Sequence, residues 1–109
     1  VIEMDDTPSK ERLHLYHRTG TRLEVLADGS QTMKVMNDSY EIVLKDKKIL
    51  IAGSADIELA NGDYNLITKK GTKKDAGNVF ITTDGDCNIT SSGAIKLKGN
   101  VSLNGTKYD

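Results

Sequence analysis

From residue 47 onward, apolar side chains come in pairs separated by one residue, and the pairs recur at nearly fixed intervals. Gly77-Asn78-Val79-Phe80-Ile81 is followed at steps of eight by Gly85-Asp86-Cys87-Asn88-Ile89 and Gly93-Ala94-Ile95-Lys96-Leu97. Gly99-Asn100-Val101-Ser102-Leu103 repeats the unit after a step of six. Weaker copies precede them: Lys47-Lys48-Ile49-Leu50-Ile51, Ala55-Asp56-Ile57-Glu58-Leu59 and Gly62-Asp63-Tyr64-Asn65-Leu66. The middle residue is Glu58, Asn65, Asn88, Lys96 or Ser102 in five of the seven units, with Leu50 and Phe80 as exceptions. Such alternation predicts short strands with one face inward and one in water. Each unit is too short for a useful helix. A glycine at the corner suits a sharp turn with positive φ.

Steps of eight and six are even, so every apolar pair falls on the same strand face. Two steps are odd. Gly62 follows Ala55 by seven, and Gly77 follows Gly62 by 15. A bulge or a different turn must absorb each. The longer gap holds Thr68-Lys69-Lys70-Gly71-Thr72-Lys73-Lys74-Asp75, which reads as a protruding loop or as a degenerate unit without its apolar pair.

One short strand per octad needs partners. A single chain winding with three octads per coil would make barely two coils from seven units, too little stacking to bury a core. Three chains wound about one axis instead stack strands from different copies on each face. Their backbones pair between chains, and the apolar pairs fill a narrow prism. At about 4.8 Å per strand layer, seven units give roughly 30 Å of needle. The expectation is therefore all-β: an intertwined homotrimeric triple-stranded β-helix preceded by a short antiparallel strand region. Its prism fillers are Ile49, Ile51, Ile57, Leu59, Tyr64, Leu66, Val79, Ile81, Cys87, Ile89, Ile95, Leu97, Val101 and Leu103. Its corners are Gly62, Gly77, Gly85, Gly93 and Gly99. Residues 1–9 read as a linker from a preceding barrel or hub, 10–36 as a strand meander or junction, and 37–109 as the spike.

Composition supports a weak core within one copy. Aromatics are 5% of 109 residues, Trp is absent and Phe80 is the single Phe. A formal charge of -1, from 15 basic and 16 acidic residues, gives no reason to expect a nucleic-acid or anionic-membrane partner. Cys87 is alone, which excludes an intrachain disulfide and a multi-cysteine metal site. The longest apolar run, Ile49-Leu50-Ile51-Ala52, is far too short to span a bilayer. The start, Val1-Ile2-Glu3-Met4-Asp5-Asp6, lacks the basic and apolar regions of a signal peptide. It also lacks an initiator Met, as a piece of a longer protein would.

Candidate chemistry is sparse. His14 and His17 lie three apart, so on a strand they point to opposite faces and do not chelate together. A ring of three His copies about an axis is the alternative, against which stands ordinary packing near the junction. Cys87 occupies an inward slot far from either histidine, which favours filler over nucleophile. Lys69, Lys70, Lys73 and Lys74 form the only basic cluster; a solvated loop is favoured over a phosphate or lipid-headgroup site. Asp5-Asp6 and Asp84-Gly85-Asp86 lack the surrounding ligands of a calcium loop, and no carboxylate pair suggests glycoside hydrolysis. No catalytic residue, metal ligand or cofactor is expected.

The segment Thr7-Pro8-Ser9-Lys10-Glu11-Arg12, the strand Leu13-His14-Leu15-Tyr16-His17, the turn Thr19-Gly20-Thr21 and Asp28-Gly29-Ser30 follow in a fixed order. This order resembles the junction after the oligonucleotide/oligosaccharide-binding barrel in contractile-tail spike proteins of bacteriophages and in type VI secretion spikes. Their pattern runs thr-pro-gly-x-glu-arg, a His-containing strand, a ser/thr-gly-ser/thr turn, another strand and asp-gly-ser. The octads resemble the β-helix of those spikes, so the resemblance covers nearly the whole chain. It implies a structural, membrane-piercing spike at the tip of a phage contractile tail, in the virion baseplate. It also implies partners in the tail hub and baseplate, and transiently the host outer membrane. Some members carry a lysozyme domain; nothing of that length or composition is present here. Some end in a His-x-His pair that binds iron, whereas this chain ends Asn104-Gly105-Thr106-Lys107-Tyr108-Asp109. A tip beyond this chain, a separate tip protein or a blunt end are the alternatives. Rival readings are a secretion-system spike, a receptor-binding fibre or adhesin segment, and a polysaccharide-degrading β-helix.

Overall fold

The computed structural model describes residues 2–105. Val1 and residues 106–109, which include most of the histidine-free C-terminal end, lie outside the described residues. The chain divides into two compact units, Val1–Asp56 and Ile57–Asp109. The described residues are all-β, with no helix.

The first unit contains a four-stranded antiparallel meander: β1 (Ile2–Asp5), β2 (Arg12–Tyr16), β3 (Arg22–Val25) and β4 (Gln31–Lys34), in spatial order β1-β2-β3-β4. β1 falls within residues read from sequence as a linker. Its Ile-Glu-Met-Asp alternation pairs it with β2, Ile2 opposite Leu15 and Met4 opposite Leu13. The β1–β2 connection is fixed by short-range bonds. Asp5 Oδ1 accepts from the Thr7 hydroxyl at 2.6 Å and from the Thr7 backbone N–H at 3.0 Å. The Thr7 hydroxyl, then its N–H, holds the Asp5 carboxyl below its ordinary value. Ser9 has φ 66°, and the spike pattern carries glycine at this position. A side chain held in the left-handed region costs of order 1 kcal/mol, and the Ser9 N–H finds the Glu11 carboxylate at 3.0 Å.

The two later hairpins share one turn chemistry. His17 N–H donates to Thr21 O and Gly20 N–H to His17 O, both at 2.9 Å. Leu26 N–H donates to Ser30 O at 2.9 Å and Gly29 N–H to Leu26 O at 3.0 Å. Gly20 (φ 100°) and Gly29 (φ 88°) supply the left-handed residue that closes such a turn into a bulge. Asp28 adds an acceptor for Ser30 N–H at 2.9 Å, which holds its carboxyl below the usual range.

Beyond β4 the backbone changes character. Among the described residues, no strand ladder and no backbone–backbone hydrogen bond lies past Lys34. Extended stretches alternate with bends at 44–45, 52–53, 60–62, 84–85, 92–93 and 99. Three of these bends include a predicted corner glycine and a fourth is Gly99 itself. The bends at 44–45 and 52–53 lie two to three residues before Lys47 and Ala55, the first residues of the two earliest repeat units. The step of seven coincides with the three-residue bend at 60–62, wider than the others. Of the corner glycines, Gly77 (φ 90°) and Gly99 (φ 123°) have positive φ. Gly62, Gly85 and Gly93 do not, so positive φ is not the reason for glycine at those three corners.

Within the second unit, the gap between Gly62 and Gly77 is a loop that closes on itself. The Thr68 hydroxyl donates to Gly77 O at 2.6 Å, and Asn78 Nδ2 donates to Asp75 O at 3.0 Å. Gly77 lies so close to the returning backbone that a Cβ there would sit 3.0 Å from Lys70 N and 3.2 Å from its Cα. Strain and collision therefore both exclude a side chain. Gly77→Ala is expected to destabilise the assembled protein by about 1–3 kcal/mol. Gly85→Ala, with nothing within 4 Å of the new methyl and no positive φ, should lose less than half as much. Denaturant melts of the two variants check this; equal losses would mean that the neck of the loop is not closed as described.

Candidate assembly surface

The side chains predicted to fill the prism share one property in the single chain: none is buried. In the first unit Ile49 and Ile51 are exposed, and in the second Leu59 is 48% and Ile89 68% accessible. Ile57, Tyr64, Leu66, Val79, Ile81, Ile95, Leu97, Val101 and Leu103 are exposed too, and Cys87 is an exposed free thiol. From Gln31 to Gly105 every described residue is exposed except Ala76, which is half-buried. Among the described residues there is no buried hydrophobic side chain at all.

Polar side chains at two bends satisfy part of the local backbone. The Thr83 hydroxyl donates to Gly85 O at 2.9 Å. The Ser91 hydroxyl accepts from Gly93 N–H at 3.2 Å and reaches Ala94 O at 3.4 Å. Thr83 and Ser91 are eight apart, each two residues before a corner glycine. Sequence reasoning passed over them, although a hydroxyl residue at fixed distance before a glycine is a turn signal. These bonds shape the corners but leave the extended stretches unpaired.

The meander carries a second exposed apolar surface. Its register puts Ile2, Met4, Leu13, Leu15, Leu23, Val25 and Met33 on one face as directly opposed pairs. Leu15, Leu23 and Met33 line a shallow depression with Val35. Leu23 and Val25 are half-buried, but Leu13 is 38% and Met4 75% accessible, so most of this sheet face is open within the unit.

The opposite face is polar and holds the most buried residue described, His14, at 3% accessibility. Its Nδ1 is hydrogen-bonded to the Tyr16 hydroxyl, and the rings lie 5.0 Å apart. Its Nε2 points toward Glu24, its register partner on β3, at 3.8 Å, too long for a hydrogen bond. Glu24 also approaches Arg22 Nε at 3.6 Å. His14 Nε2 and Arg22 Nε are buried without a hydrogen-bond partner. The structure thus joins His14 to Tyr16, Glu24 and Arg22, none of which the sequence reading had grouped with it. The signal was the alternation itself, which places 12, 14 and 16 on one face. His17 is held apart, with Thr19 N–H 3.3 Å and the Thr19 hydroxyl 3.0 Å from Nδ1.

The lysine cluster lies on the loop between Thr68 and Gly77, and Asp84-Gly85-Asp86 at a bend. Asp5 is engaged by Thr7 rather than by Asp6. Among the described residues no group of three His, Cys, Asp or Glu is placed to hold a metal ion.

No protein-family profile matches the chain. Two curated phage proteins do. Over 57 residues the chain is 47% identical to Protein Gp5 of Vibrio phage KVP40, covering 52% of this chain and 14% of that protein. Over 86 residues it is 32% identical to the pre-baseplate central spike protein Gp5 of Enterobacteria phage T4, covering 77% of this chain and 15% of that protein. The chain thus spans about a seventh of the length of these relatives.

Tyr16→Phe removes the hydroxyl from His14 Nδ1 and leaves a buried ring nitrogen unpaired. A loss of about 1–3 kcal/mol is expected, read as a lowered denaturant midpoint. An unchanged midpoint would show that the imidazole finds its partner elsewhere.

Proposed function

The chain is homologous to the phage Gp5 baseplate spike proteins, and on that footing we propose that it is a trimer-forming segment of a membrane-piercing tail spike. Its place is the baseplate of the virion, joined to hub and baseplate proteins. Its work is structural and mechanical rather than catalytic, done during transient passage through the host outer membrane. Both relatives are phage proteins, which favours the tail spike over a secretion-system spike.

One observation carries this reading. After β4, the described chain bends at near-regular intervals yet makes no backbone–backbone hydrogen bond and buries none of its paired apolar side chains. An extended backbone excluded from water needs hydrogen-bond partners. A repeated apolar surface needs cover, at about 25 cal/mol for each Å² removed from water. Two further copies supply both at once. Strands from three chains would stack on each face of a prism, with bonds running along the axis and apolar pairs inside. The odd step at 60–62 is then taken up by a wider bend, and the insertion at 69–76 leaves the prism as a loop. In such a braid no copy unfolds without disengaging from two others, which suits a device loaded along its axis. The residues that carry the function are the fourteen prism fillers and the corner glycines already named. The strand meander over 10–36 would then form the junction, and 37–109 the spike.

Light scattering on the purified chain should give close to three times 11.9 kDa, and a clean monomer would overturn the assembly. Ile89→Asp should abolish the trimer, because three carboxylates would converge on a dry axis. Ser102→Asp, on the alternate face, should leave mass and melting nearly unchanged. An intact Ile89→Asp trimer beside a disrupted Ser102→Asp would reverse the two faces.

A further inference from the structure

Among the described residues, the lysine and arginine side chains in ion pairs are in the first unit: Arg22 with Glu24 and Lys47 with Glu41. The loop of the second unit differs. Lys69, Lys70, Lys73 and Lys74 are all exposed, and no ion pair engages any of them among the described residues. One carboxylate, Asp75, shares the loop, and it follows the last lysine. Over the rest of 57–105 the balance reverses, with Glu58, Asp63, Asp84 and Asp86 against Lys96 and Lys98. A chain that is nearly neutral as a whole thus concentrates positive charge in one protrusion.

That protrusion is built rather than loose. Thr68 and Gly77 clamp its neck, Asn78 ties Asp75, and Gly71 turns it at φ 59°. Lys69 and Lys70 stand at the clamped neck, where their backbone packs against Gly77. Lys73 and Lys74 follow the turn at 71–72. Four ammonium groups within six residues of a closed loop match clustered phosphates, for which lysine serves as a point charge. They match poorly any surface read through planar bidentate contacts.

We propose that this loop is a docking site for the phosphate-bearing headgroups of an anionic lipid surface. In the trimer, on which only this multiplication rests, threefold symmetry sets three identical loops at one axial level. Twelve lysines would then engage the surface together, and multivalent attachment strengthens binding beyond any single loop. The spike would grip the envelope at the level of the loop while the prism passes through.

The test uses the full chain, with phosphatidylcholine vesicles made with and without phosphatidylglycerol. Co-sedimentation should show binding to the anionic vesicles alone, released at about 1 M salt, where the screening length falls to about 3 Å. Replacing Lys69, Lys70, Lys73 and Lys74 with Gln should weaken it at least about a hundredfold. Lys96→Gln with Lys98→Gln should leave it unchanged. Equal loss in the two variants, binding to neutral vesicles, or release by inorganic phosphate at equal charge concentration would each overturn the lipid-docking site. Light scattering of the same samples separates the two readings. A trimer that ignores vesicles sinks the docking site alone, whereas a monomer that binds them through the loop sinks the assembly alone.

Discussion

Everything in the second half of this chain turns on unpaired backbone. A strand is stable when its N–H and C=O groups meet partners, and the cost of leaving them dry and alone is comparable to a lost hydrogen bond. Past Lys34 the described chain has the extended stretches and the corners of a β-structure but none of its ladder. The side chains repeat the message. Branched aliphatic residues recur in spaced pairs with nothing over them. Water can solvate such a chain, but only as a flexible one, because ordering it without contacts loses conformational entropy for no return. Regular bends at near-constant spacing make sense when other copies supply what one copy lacks.

The meander poses the same problem in a milder form. Its four strands satisfy their interior backbone, and its polar face organises around His14, Tyr16 and Glu24. Its other face, from Ile2 across Leu15 and Leu23 to Met33, stays open. A two-residue alternation of this kind commonly packs one face of an antiparallel sheet on a core. Here that face is left to whatever lies outside the unit. Such an open face fits a segment that spans about a seventh of the length of its spike-protein relatives.

Much of this was legible in the residues, for definite reasons. Alternation and the step of eight survive any assembly, so the strand-and-corner pattern could be read without coordinates. The turn at Thr19-Gly20-Thr21 was read through the resemblance, whereas the turn at Asp28-Gly29-Ser30 is shown by the bonds between Leu26 and Ser30 and between Gly29 and Leu26. Other features were hidden because they depend on register or on return of the chain. The strand at Ile2–Asp5 is four residues long and becomes one only by pairing with β2. His14 meets Glu24 only once β2 and β3 align. The bend at 44–45 carries no strong turn residue at Leu44-Lys45, and the glycine of the bend at 52–53 lies two residues before the repeat unit that starts at Ala55, so neither bend showed in the spacing. Whether the lysine segment was a loop or a weak octad could not be decided from spacing. The bond from Thr68 to Gly77 decides it.

Hydrogen exchange of the backbone amides over residues 37–103, followed as the protein is diluted, tests the central claim most directly. Interchain ladders predict strong protection along the extended stretches at high concentration, lost together as the copies separate, with amides of the 69–76 loop exchanging freely throughout. Rapid exchange of those stretches at every concentration, or protection indifferent to dilution in a chain that stays single, would contradict it.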